Sequence, residues 1–181
     1  RPRSALRGAD AGARTAPPQV KAFFDTNVIV YAHDRNAGTK RDRARALIEA
    51  HVRSGDLVLS TQVLIESYNA LQRAALLKRE AALTVVEALA DEHVVATDAD
   101  LVLRAIRLSQ RHQLSHWDGL VVQAALDAGC EALFSEDMQA GMRFGDLEVI
   151  NPFVDAAHEP RTVYSTRKRV APAPPPRKRR A

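Results

Sequence analysis

The chain has 181 residues, 46% of them apolar, one cysteine and a formal net charge of +4. That length fits one domain with a sizeable core. Cys130 has no second cysteine to pair with, which suits a reducing compartment, and no apolar run approaches the length of a membrane span. The charge is uneven. Residues 1–20 carry Arg1, Arg3, Arg7 and Arg14 against Asp10, a net +3; residues 155–181 carry eight Lys or Arg against Asp155 and Glu159, a net +6; residues 21–154 are therefore left at −5. Residues 1–19 and 155–181 hold few large apolar groups, and the second stretch is rich in proline and closes on Arg177-Lys178-Arg179-Arg180. Neither buries enough surface to offset its ordering entropy, so both are expected to be disordered basic tails around a domain at 20–154.

The middle alternates strand-like and helix-like pieces. Lys21–Asp25 reads as a buried strand and Asn27–His33 as a short helix, broken at Gly38. Arg41–Arg53 places Ala44, Leu47, Ile48 and Val52 at helical spacing, with Gly55 where a C′ glycine belongs. Leu57–Leu59 is a short strand. Ser60 or Thr61 caps a helix over 61–78, with Leu64, Tyr68, Leu71 and Ala75 along one face. A second helix covers 80–91, and Val94-Val95 is a brief strand. Thr97-x-x-Asp100 and Ser115-x-x-Asp118 are capping boxes for two further helices, the first ending near Arg111 and the second at Gly129. Glu131–Phe134 and Glu148–Ile150 complete the strands. Cys130, between helix and strand, reads as a buried filler rather than a nucleophile. Strands separated by helices predict an α/β fold with a parallel sheet covered on both faces.

Four acids sit at the ends of apolar segments: Asp25, Glu66, Asp118 and Asp137. In open α/β sheets, ligands bind beyond the carboxyl ends of the strands. At roughly 6 Å and an effective dielectric of about 20, each pair of such charges repels by about 3 kcal/mol. Protonation or a hard cation relieves that cost. Each acid also has a bland alternative. Asp25 can be a helix cap, Glu66 a solvent-facing acid near a helix N-terminus, and Asp118 the N3 partner of Ser115. Either Glu136 or Asp137 can be a turn residue. Gly119 is costly early in a helix and implies close approach by a ligand or by backbone. Thr26 and Asn27 add a hydroxyl and an amide beside Asp25. No P-loop or nucleophile elbow is present.

Together the acids have an order. Phe24-Asp25-Thr26-Asn27 comes first, then Ser60-Thr61-Gln62-Val63-Leu64-Ile65-Glu66-Ser67-Tyr68-Asn69. Leu114-Ser115-His116-Trp117-Asp118-Gly119-Leu120 and Leu133-Phe134-Ser135-Glu136-Asp137-Met138 follow, closing on Asn151-Pro152-Phe153. Over about residues 21–153 this resembles the PIN-domain nucleases, and among them the VapC-type toxins of bacterial type II toxin–antitoxin pairs. The resemblance implies a three-layer α/β/α sandwich with a mainly parallel central sheet. It implies a cytoplasmic endoribonuclease that uses Mg²⁺ or Mn²⁺, acts on single-stranded or looped RNA, forms a homodimer and is held by a cognate antitoxin. It makes Asp25 and Asp118 the principal metal ligands and Glu66 and Asp137 the remaining acidic positions. Thr26, Asn27 and Ser135 support them. Arg41, Arg43, Arg45, Arg73, Lys78, Arg79 and Arg143 are available to phosphates. The competing expectation is a catalytically idle PIN-like module that binds RNA or protein.

Overall fold

The computed structural model describes residues 20–74 and 76–154. The two tails and Ala75 lie outside the described residues. The elements in chain order are β1 (Ala22–Phe24), α1 (Thr26–His33), α2 (Thr39–Ser54), β2 (Leu57–Ser60), α3 (Thr61–Arg73), α4 (Arg79–Ala90), β3 (His93–Val95), α5 (Ala99–His112), α6 (His116–Asp127), β4 (Ala132–Phe134), β5 (Arg143–Phe144) and β6 (Leu147–Ile150). The strands form one sheet in the order β3-β2-β1-β4-β6-β5. Every pairing is parallel except β5 with β6. Successive strand residues point to opposite faces, and all three residues of β1 and of β4 are buried. The helices therefore cover both faces, and the expected α/β sandwich holds. The core gathers Phe23, Phe24, Leu57, Leu59, Leu133 and Leu147 from the central strands with Val28, Ile29 and Tyr31 of α1.

Several local readings shift. The strand predicted to end at Asp25 stops at Phe24, and Asp25 becomes the N-cap of α1, its side chain accepting from the Thr26 amide. The helix predicted over 61–78 ends at Arg73, because the amides of Leu76 and Leu77 both turn back to the Leu71 carbonyl. Ser60 is the cap of α3, accepting from the Val63 amide. The Thr97 capping box does not form. Asp98 caps α5 by accepting from Leu101, while the Thr97 amide donates to Thr61 Oγ1 across the sheet edge, and Asp100 pairs with Arg104. Strand β5 was not expected. Its signal is Gly145-Asp146 between Phe144 and Leu147, a two-residue hairpin in which Gly145 takes φ +64°.

Gly119 has a structural cause. A Cβ there would collide with Ser109 Oγ and lie 2.8 Å from the Ala105 carbonyl oxygen. The close approach is helix on helix, α6 against α5. Cys130 is buried, and burial pushes its thiol up to about 12, which leaves almost no thiolate at neutral pH.

Candidate active site

The site is built where β1, β2 and β4 end side by side. Asp25 leaves β1 with its amide bonded to the Phe134 carbonyl, and its carboxylate is held from three sides. Oδ1 accepts from the Thr26 amide at 2.7 Å. Oδ2 accepts from Ser135 Oγ at 2.7 Å and from Asn27 Nδ2 at 3.0 Å. Thr26, Asn27 and Ser135 are almost wholly buried, so these donors are fixed. Thr26 Oγ1 also donates to Glu66 Oε2 at 3.1 Å, and Gln62 Nε2 donates to Glu66 Oε1 at 2.9 Å. Thr26 thereby joins the first acidic position to the second. Half-buried Glu66 faces inward on α3, not toward bulk solvent.

Glu136 and Asp137 part company. Glu136 Oε1 lies 2.6 Å from Lys40 Nζ and Oε2 accepts from the Tyr31 hydroxyl at 2.5 Å. Asp137 takes no part in that pair and lies close enough to Asp25 to feel its charge. Asp118 stands at the start of α6. The Ser115 hydroxyl accepts from the Asp118 amide at 3.1 Å and donates to its carboxylate at 2.7 Å. α6 enters β4 through the short link 128–131, so it runs against the parallel strands and begins toward their carboxyl edge. The hydrogen bonds described thus join Asp25 with Glu66 through Thr26, while Asp137 is tied to Asp25 by charge. Asp118 reaches that edge by its helix, and its described hydrogen bonds are to Ser115.

The PIN domain family model matches residues 22–141. The chain belongs to the PIN domain family. Among solved structures, this PIN domain is similar to the toxin VapC20 of Mycobacterium tuberculosis, described as cleaving the Sarcin-Ricin loop, at 22% identity, TM-score 0.52, covering 64% of this chain and 91% of that one. It is similar to a toxin–antitoxin complex from Klebsiella pneumoniae at 18% identity and TM-score 0.53, covering 72% and 97%. A third is VapBC2 from Rickettsia felis bound to a fragment of promoter DNA, at 16% identity and TM-score 0.52, covering 71% and 96%. At these identities the likeness is one of fold. Comparison with curated proteins finds no match.

The side chains of this PIN domain fit the divalent cation that the sequence resemblance implies. The donors are carboxylate, hydroxyl and amide oxygens, the hard ligands that Mg²⁺ accepts. Among the described residues no group of three or more His, Cys, Asp or Glu side chains is already arranged around a common centre. Mg²⁺ does not need one, because it binds through one or two carboxylates and keeps several waters. Charge crowding is the positive sign. Burial, and next the Asp25 charge, push the Asp137 carboxyl from 3.8 up to about 6; Glu136 adds to the rise, while Asn27 and Lys40 oppose it.

That crowding predicts a pH dependence. A carboxyl with a raised folded-state pKa binds its proton more tightly folded than unfolded. Its stabilising effect is complete below pH 3.8 and is lost as pH rises to about 6. Fully buried, such a shift would be worth about 3 kcal/mol; with solvent on one side, about 1–2 kcal/mol remains. Asp137→Asn should flatten this fall and raise the melting temperature of chelator-treated protein at pH 7 relative to wild type. Parallel melting curves for both proteins from pH 4 to 7 would refute the crowding.

Proposed function

We propose that this PIN domain is a metal-dependent endoribonuclease and the toxic member of a type II toxin–antitoxin pair. The observation that carries this is the Asp25 cluster at the carboxyl edge of the sheet. Asp25 is locked by Thr26, Asn27 and Ser135, coupled to Glu66, and crowded by Asp137. The likeness in fold to toxins, one of them described as cleaving the Sarcin-Ricin loop, supports this reading.

In this proposal Asp25 and Asp118 are the principal holders of the cation, Mg²⁺ or Mn²⁺, with Glu66 and Asp137 completing the acidic set. When bound, the cation stabilises charge on the phosphate and lowers the pKa of the attacking water. The protein supplies fixed geometry. Thr26, Asn27 and Ser135 keep Asp25 from rotating, and Gln62 and Thr26 hold Glu66. The exposed Arg73, Lys78 and Arg79 remain available to the RNA backbone. Arg143 is engaged with Glu148 and Arg45 lies 3.9 Å from Glu49, which lowers their claim. RNA with single-stranded and looped regions should be cut by the full chain with Mg²⁺ or Mn²⁺ and left intact with a chelator. Binding without cutting under every metal condition would instead support the idle module.

The domain proposed at 20–154 ends on Phe153, whose ring packs on Tyr31 at 5.0 Å. The basic tails should add only sequence-blind affinity through counterion release. A chain cut to residues 19–155 should keep its cleavage, with weaker RNA binding at low salt and little difference at high salt. Equal loss at every salt concentration would place the tails in the site. A homodimer and an antitoxin partner in the cytoplasm belong to the same proposal. Ile65 on α3 and Leu83 on α4 stand 57% and 47% exposed, apolar surface that a partner would cover. Light scattering showing monomer at micromolar concentration would count against the dimer.

A further inference from the structure

Lys40 is buried at the start of α2, 96 positions from its partner Glu136. Its Nζ lies 2.6 Å from Glu136 Oε1, 4.8 Å from the centre of the Tyr31 ring and 5.6 Å from that of Phe153. The side chains of the pair are 8% and 16% exposed. A buried ion pair adds little net stability against an apolar replacement, but losing one partner strands a charge, and such pairs can act by fixing one arrangement over another. Here the arrangement is that of the turn 135–137. Ser135 Oγ donates to Asp25, the Glu136 amide donates to Asn27 Oδ1 at 3.3 Å, and Asp137 follows next in the chain, within reach of the Asp25 charge. Glu136 carries the longer, more adaptable carboxylate and sits one residue from the site. Left free, it would be a competing oxygen ligand.

We propose that Lys40 is a positioning residue for this site: by anchoring Glu136 against Tyr31 it presents Asp137, not Glu136, to Asp25. The inference rests on the proposal that Asp25 and Asp137 hold a divalent cation. Lys40→Met frees a carboxylate next to the cation. It should tighten Mn²⁺ binding to the metal-free full chain, measured by calorimetry, about fivefold. At the same time it should lower kcat for RNA cleavage at least tenfold with KM little changed. General damage to the fold would instead weaken both together. Lys40→Met/Glu136→Gln removes the competing charge and should return Mn²⁺ affinity and most of kcat. If Lys40→Met does not fold, Tyr31→Phe, which deletes the hydroxyl that donates to Glu136 Oε2 and accepts from Lys40 Nζ at 3.5 Å, takes its place with the same signs at about threefold. A folded variant with wild-type kcat and Mn²⁺ affinity overturns the proposal, and so does a double variant that fails to recover. Should the wild type cut no RNA yet bind Mn²⁺, the calorimetric signs alone decide. A wild type that binds no Mn²⁺ overturns both this proposal and the nuclease.

Discussion

Asp25→Asn should lower RNA cleavage by about a thousandfold, which is about 4 kcal/mol of transition-state stabilisation, and leave the chain folded. Asparagine caps a helix as well as aspartate does, so α1 keeps the acceptor for its Thr26 amide. The substitution has two opposed effects on stability. It removes the charge that crowds Asp137. With its oxygen kept on the Thr26 amide, asparagine also puts an NH2 where Oδ2 accepts from Asn27 and Ser135; the Ser135 hydroxyl can turn to accept from it, and the Asn27 amide loses that acceptor. The two are of similar size, about 1 kcal/mol each, and the melting temperature should move little. Asp118→Asn should lose cleavage to the same degree, since its amide oxygen still accepts from the Ser115 hydroxyl and the start of α6 is preserved. Cleavage rates and melting curves on the same preparations check this. Residual activity above a tenth of wild type in either variant would remove that residue from the metal-holding set.

Gly119→Ala should destabilise the protein by about 3 kcal/mol, the upper end of the cost of overpacking, and lower the melting temperature by about 10 °C. The added methyl collides with Ser109 Oγ and crowds the Ala105 carbonyl at 2.8 Å. Ser109 cannot simply turn away, because its hydroxyl donates to that same carbonyl at 2.8 Å in a buried position. α6 must move off α5, and Asp118 moves with it. Cleavage should therefore fall further than the folded fraction does. Adding Ser109→Ala removes the nearest obstacle but not the carbonyl, so Ser109→Ala/Gly119→Ala should recover part of the loss. A wild-type melting temperature in the single variant would show that α5 and α6 have slack at this contact.

The layered α/β architecture and the side chains of the Asp25 cluster were legible in the sequence, because both are written in short-range pattern. Buried strands followed by capped helices set the parallel sheet. An acid directly after β1 and early in α3, α6 and the turn beyond β4 is a local feature, as are Thr26, Asn27 and Ser135 beside two of them. Asp25 shows why its two readings were never exclusive: the geometry that caps α1 through one oxygen leaves the other facing Ser135 and Asn27.

What the tertiary structure decided were choices between near neighbours made by distant partners. Thr97 and Asp98 are both good caps, and Asp98 prevailed because Thr97 is held by Thr61, 36 positions away. Gly119 was readable as close approach, but its neighbour, the Ala105 carbonyl on α5, was not. Glu136 and Asp137 are adjacent acids after the same strand, and nothing local separates them. Lys40 and Tyr31 do, by drawing the Glu136 carboxylate into a pair across 96 and 105 positions. Local sequence determines where a carboxylate leaves a strand or enters a helix. Which way it then points depends on the charge and packing that folding brings to its side, and those partners have no fixed spacing along the chain.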